Sequence, residues 1–400
     1  MIAHAEPTRR SLPTWAVVLL PLMLLAALVF AIVRTSPADQ LRSPDAPPVE
    51  RLAIERVVLK PGVIDLTVLN DGPDPVTIAQ VTVDDAFWAF TASRGTTVGH
   101  LGRTSIAIPY PWVAGEAHAI KVLTSTGTPF THEIAVAVET PEARASNLWL
   151  FALIGLYVGV IPVALGLLWY PLVARLGATG LDALLALTVG LLAFLFVDAV
   201  QEGLEASSGL PGAYQGLALL VATGAGAYLA LETFGAWLKA RRARRAPGGD
   251  ATVLALLVAV GIGLHNFGEG LAIGAAFALG EAALGTLLIL GFTLHNTTEG
   301  LAIVAPMAKS RPSLRTLIGL GLIGGAPTIV GAWCGGLVYS PVIAVACLGL
   351  GAGAIAQVVG QIVRQIKPRL VNTGRLASAH VLFGLAAGFG IMYVTGMLVG

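Results

Sequence analysis

Two short segments of the chain carry the side chains with the most chemical potential. One reads His265-Asn266-Phe267-Gly268-Glu269-Gly270 and the other His295-Asn296-Thr297-Thr298-Glu299-Gly300, each followed by Leu-Ala-Ile. This is an internal repeat set in two consecutive apolar runs. On a helix, positions i and i+4 share one face a turn apart, so each imidazole stands beside a carboxylate. Two imidazoles and two carboxylates suit zinc, iron, nickel, cobalt or manganese, whereas magnesium and calcium prefer all-oxygen shells. Ionisable groups inside an apolar span are costly and mark functional sites. A lone intramembrane histidine is as often a packing residue. Two copies of one cluster at matched depth favour a shared metal site over packing or a metal-free hydrogen-bond network. Asn266 and Asn296 follow each histidine, offset by about 100° around the helix. Their amide oxygens can bind a metal weakly or orient a ligand, which allows an adjacent second site sharing Glu269 and Glu299.

The elements that must hold these residues are membrane helices. Of 400 residues, 56% are hydrophobic and 12% charged, against about a quarter charged in soluble domains. After Ser146 the chain is almost continuously apolar. The spans fall near 147–172, 181–204, 214–238, 251–279, 283–306, 314–338, 342–363 and 376–399. Without water in the bilayer core, each must satisfy its backbone internally as a helix. The two repeats sit about a dozen residues from their span ends, roughly at the bilayer midplane. The link between their spans is short, so an antiparallel hairpin is expected to bring both clusters to one point. Gly270 and Gly300 are expected to let these helices approach closely. Cys334 and Cys347 lie in apolar stretches and read as small buried hydrophobes rather than a disulfide.

The first third of the chain differs. The apolar run Trp15 to Val33 follows Arg9 and Arg10 and is long enough to cross a bilayer as an uncleaved anchor. Between Glu50 and Glu142, period-two alternation rich in Val, Ile and Thr reads as half-buried strands. Val63–Leu69, Val76–Val83 and Glu133–Val138 are examples, and Asn70-Asp71-Gly72-Pro73 is a turn signal. The expected fold is therefore an α-helical polytopic membrane protein with an anchor helix and a small all-β sandwich. Three parts are expected: a cytoplasmic tail and anchor over 1–35, an extracytoplasmic β domain over 36–146, and an eight-helix bundle over 147–400. Positive charge sets the orientation. Arg9 and Arg10 precede the anchor. Arg175, the run Lys239 to Arg245, then Lys309, Arg311 and Arg315, and finally Arg364, Lys367, Arg369 and Arg375 fill alternate breaks. The breaks at Gly203–Ala213, Gly280–Ala282 and Tyr339–Pro341 hold no Lys or Arg. A cytoplasmic N-terminus, with the β domain and C-terminus outside the inner (cell) membrane, satisfies every break.

Other polar residues in the spans are weaker candidates. Asp198 and Glu202, at i and i+4 near the outer end of their span, suit an entry funnel for cations or a wetted helix end. Gln357 and Gln361 suit path lining or hydrogen bonds between helices. His380 suits capping, and Glu232 suits pairing with the basic loop. In the β domain, His100, His118 and His132 read as structural or surface residues, and Asp71, Asp74, Asp84 and Asp85 as turn formers rather than calcium ligands.

The two clusters resemble the fourth- and fifth-helix motifs of ZIP (Zrt/Irt-like) metal transporters. Eight spans after Ser146, both ends of that region outside, and a polar cytoplasmic segment between its third and fourth helices match as well. The resemblance implies that His265, Asn266, Glu269, His295, Asn296 and Glu299 line a transport path. It implies import of divalent metal, zinc foremost and also iron, manganese, cobalt, nickel or cadmium, by moving one helix group against another. Several positions depart from the family pattern. Gly268 and Thr298 stand where Pro commonly precedes the motif Glu. Asn296 stands where many members carry an acid, which weakens a second site. Ala326 precedes Pro327 where a Glu-Pro pair is common, and the basic loop after the third helix has no His. The anchor and β domain are additions. Metal is then cargo, with no resident cofactor and no enzymatic activity expected. The expected partners are metal ions and the lipid bilayer; a homodimer is allowed, and no nucleic acid is involved. An intramembrane metalloenzyme or a non-transporting metal sensor would use the same residues, but there is no His-Glu-x-x-His and no evident substrate channel.

Overall fold

The computed structural model describes residues 14–35, 47–243, 250–279, 282–374 and 378–397. Arg9, Arg10, Arg244, Arg245 and Arg375, on which part of the orientation argument rests, lie outside them. The chain divides into two units, residues 1–49 and 50–400. The first holds the helix Thr14–Thr35, apolar throughout except for Arg34 in its last turn.

The second unit begins with nine strands: β1 (Leu52–Lys60), β2 (Val63–Asn70), β3 (Val76–Val83), β4 (Ala86–Trp88), β5 (Thr91–Ala92), β6 (Thr97–Val98), β7 (Arg103–Pro109), β8 (His118–Thr124) and β9 (Pro129–Ile134). They form two antiparallel sheets, ordered β1-β2-β7-β5 and β4-β3-β8-β9, with β6 paired to β3. Alternation does the work. Ile64, Leu66, Val68, Ile106 and Ile108 from one sheet meet Val81, Val83, Ile120 and Val122 from the other in one buried core. At the expected turn, Asn70 Oδ1 accepts the Gly72 N–H at 2.9 Å and Asn70 Nδ2 donates to the Asp74 carbonyl at 2.7 Å. Asp84 and Asp85 both have positive φ, 51° and 64°, and form the two-residue turn between the paired Val83 and Ala86. The Asp84 carboxylate also takes bonds from Tyr110, His118 and the Ala119 N–H at 2.8–2.9 Å. The expected strand Glu133–Val138 is a correction: pairing ends at Ile134. Ala137 instead exchanges backbone bonds with Gly115 and Glu116, at 2.9 and 2.7 Å, which draws Ala135–Val138 out of the ladder.

Among the described residues, eight helices follow that are long and apolar enough to cross a membrane: Ala145–Val173, Ala178–Ser208, Gly212–Arg241, Ala251–Ala278, Leu284–Met307, Leu314–Val338, Pro341–Asn372 and Ala379–Gly396. They are called spans 1 to 8 in chain order. The chain is thus a helical polytopic membrane protein carrying a small β domain. Span 1 contains a π-helical turn, Leu156–Val160, just before Pro162. Span 6 breaks at Ala326, before Pro327. The spans pack as two groups. Spans 1, 4, 5 and 6 hold one another, spans 2, 3, 7 and 8 hold one another, and span 7 against span 4 is the broadest contact between the groups.

The β domain docks on the first residues of span 3. The Asp71 carboxylate accepts the N–H groups of Gly212 and Ala213 at 2.8 and 2.7 Å. Tyr214 donates its hydroxyl to Glu55 at 2.6 Å and also bonds Arg103, which itself grips Glu55 at 2.8 Å. Asp71 therefore shapes more than the turn expected of it. In Asp71→Ala, amide exchange at Gly212 and Ala213 should accelerate on the order of tenfold, as expected for losing a charge-assisted bond. Unchanged exchange there would mean that this contact does not hold the start of span 3.

Candidate metal centre

Spans 4 and 5 are neighbours, and the repeat places one His/Glu pair on each. One ligand atom from each of His265, Glu269, His295 and Glu299 lies within 4.8 Å of all the others. All four residues are removed from solvent, with exposures of 9%, 4%, 5% and 2%. Glu269 is the hub. Its Oε1 contacts His295 Nε2 directly and lies 3.4 Å from His265 Nε2. Neither oxygen of Glu299 has a hydrogen-bond partner, nor does His265 Nε2. A buried carboxylate without donors is expensive in a low-dielectric interior. A cation at the focus of the four groups would remove that penalty. The Phe292 ring, 5.3 Å from the His295 ring, closes one side.

The asparagines act through both ends of their amides. Asn296 Nδ2 donates to the Val158 carbonyl at 3.0 Å and to Glu269 Oε2 at 2.9 Å. Val158 stands four residues before Pro162, whose missing N–H leaves that carbonyl without its helical donor. Asn266 Nδ2 donates to the Gly324 carbonyl at 3.0 Å, in the turn that breaks before Pro327. A carbonyl acceptor requires the NH2 side of the amide. The Oδ1 atoms of both asparagines are left without partners, and each Asn ties its span to a proline-interrupted neighbour.

Gly270 and Gly300 do not serve the contact expected between spans 4 and 5. A Cβ on Gly270 would overlap the Thr328 carbonyl of span 6, and one on Gly300 would overlap the Val163 carbonyl of span 1. Gly270 and Gly274 face Gly331 and Gly335, which sit against the Phe267 and Leu271 carbonyls, so two four-residue glycine repeats interlock. The small residues seat the ligand-bearing helices against their outer neighbours.

Asp198 and Glu202 line a cavity of about 20 Å³, room for about one water. His265, Gly268 and Glu269 of span 4, Phe292 of span 5, and Cys347 and Gly351 of span 7 complete it. It lies at the seam between the two helix groups. Gln357 and Gln361 are elsewhere. Gln357 donates to Glu232 at 3.0 Å, and Gln361 accepts from Lys239 at 2.8 Å. Arg364 also holds Glu232, at 2.7 Å, so Glu232 pairs with span 7. His380 lies near the start of span 8 beside Ser378, at 3.3 Å. In the β domain, His100 bonds the Gly72 carbonyl at 2.6 Å and His118 is buried against Asp84. His132 has its pKa lowered by burial.

Sequence reasoning missed Cys347 as a cavity residue and the Val158 and Gly324 carbonyls as amide partners. Pro162 was a legible signal for the Val158 carbonyl, whereas Pro327 would mark the Ile323 carbonyl and not that of Gly324. Nothing local marked the thiol.

A membrane-spanning helical bundle with a buried His/Glu cluster able to hold a metal ion is the class that fold and site define. No family model matches the chain, and no curated protein matches it significantly.

Proposed function

We propose that the protein is a ZIP-like importer of divalent transition-metal ions, zinc foremost, in the inner (cell) membrane. The observation that supports this most is the convergence of two imidazoles and two carboxylates, from adjacent membrane helices, within 4.8 Å. In this reading the β domain and C-terminus face the periplasm. A hydrated cation enters from the β-domain side past Asp198 and Glu202. It sheds water and displaces the Glu269–His295 contact as the four donors close on it. Release toward the cytoplasm follows when the helix groups shift or a carboxylate takes a proton, because ligand protonation competes with metal. The seam cavity suits this, since a shift between the groups would open and close it.

The test is metal flux into proteoliposomes across a panel of divalent ions. His265→Ala and Glu299→Ala should each abolish uptake while still inserting and purifying normally. Wild-type rates from both variants would overturn the proposal. Turnover of a lipid or peptide by metal-loaded protein would replace it with an enzyme, and metal-dependent partner capture without flux would replace it with a sensor.

A further inference from the structure

Cys347 is one of two free thiols, and the only one lining the cavity that leads to His265. Its placement is built into the helix contact. Gly351 lies at i+4 from Cys347, on the same face of span 7. A Cβ at Gly351 would sit 3.3 Å from the His265 Cα, so the glycine brings this face of span 7 against span 4. The thiol therefore shares one chamber with the carboxylates of Asp198 and Glu202. The chamber also holds the imidazole of His265, which is buried and has no hydrogen-bond partner at Nε2. The donors come from both helix groups: Asp198, Glu202 and Cys347 from one, His265 from the other.

We propose that Cys347, with Asp198, Glu202 and His265, forms a transient second site in this chamber for thiophilic divalent cations such as cadmium and zinc. A soft sulfur donor favours such ions over manganese and magnesium, which the carboxylates and imidazole alone discriminate less. On binding, the S–H bond breaks as the sulfur–metal bond forms, and the proton passes to a chamber carboxylate or to water. The chamber thereby selects the ion before the four-donor centre receives it. This selecting role rests on the transport reading; the binding does not.

The two parts are tested separately. In a Cys334→Ala background, Cys347 is the only thiol in the full-length protein. Methyl methanethiosulfonate converts it to a methyl disulfide, with methanesulfinate leaving and the thiol proton going to water. Cadmium at ten times its Kd should slow this labelling roughly tenfold by occupancy alone, and magnesium should not. Protection should persist when Glu299→Ala is added, because Glu299 does not line the chamber. Labelling unaffected by cadmium, no labelling of the folded protein, or protection lost with Glu299→Ala would each overturn the proposal. In proteoliposomes, Cys347→Ser should lower cadmium uptake relative to manganese by about tenfold. An unchanged ratio would remove the selecting role. If the wild type carries no metal at all, the transport reading fails while the labelling result still decides the site.

Discussion

Glu269→Gln should reduce metal uptake at least ~100-fold, a larger effect than the 10- to 100-fold typical of residues that only orient ligands. The substitution keeps the side chain's volume but removes its charge and replaces one of its two acceptor oxygens with an NH2 donor, so it tests the carboxylate as a whole. Glu269 is chosen because its Oε1 serves both imidazoles and its Oε2 receives Asn296. No other donor of the cluster touches both histidines. Cadmium or zinc binding to the detergent-solubilised variant, followed by calorimetry, should weaken in parallel with flux. An unchanged melting temperature would confirm that the loss is chemical rather than structural. Wild-type flux and binding in this variant would show that the cation is not held at the focus of the four groups.

The largest effect on stability is expected from the glycine contact between spans 4 and 6. Gly331→Leu would drive a side chain into the Phe267 carbonyl, and Gly270→Leu would drive one into Thr328. In both cases the obstacle is backbone, which cannot move aside as a side chain can. Overpacking of this kind costs about 3 kcal/mol, a large share of a folded protein's net stability of about 5–15 kcal/mol. A sharply lower melting temperature in detergent is the expected readout. Gly268→Ala supplies the contrast: a Cβ there meets nothing within 4 Å. Alanine is the better helix former by about 1 kcal/mol, so this variant should fold at least as well as wild type. Equal stability of Gly331→Leu and Gly268→Ala would refute the close-packing account.

Much of this arrangement was legible in the sequence, for reasons that also explain what was not. The repeat at His265 and His295 located the donors because i, i+4 spacing and a short link constrain geometry without knowledge of the rest of the bundle. Ile64, Leu66 and Val68 announced a half-buried strand because one face of a sheet meets core and the other meets water. The glycines were harder. Spans apolar on every side carry no periodicity that says which face meets which neighbour, so Gly270 could not be assigned to span 6 rather than span 5. Gln357 and Gln361 raised the same difficulty, and their partners Glu232 and Lys239 lie over a hundred residues away in sequence. Ala135–Val138 keeps strand-like composition but leaves the ladder, because the Gly115–Glu116 loop competes for its backbone, a long-range contact that no local pattern encodes.

The grip of Asp71, Glu55 and Arg103 on Gly212–Tyr214 fastens the β domain to the start of span 3. A second cleft, between β1 and the start of span 7, is lined by Ile54, Arg56, Tyr339 and Val342. Both footholds belong to the helix group that carries Asp198, Glu202 and Cys347. Thr140, bonded to Leu59 of β1, leads within five residues into span 1 of the other group, so in the transport reading the domain would bridge the seam. Rocking at the seam would then have to be taken up between Thr140 and the start of span 1. Paired spin labels on β9 and on the tip of span 5 would follow it without touching the buried side chains themselves.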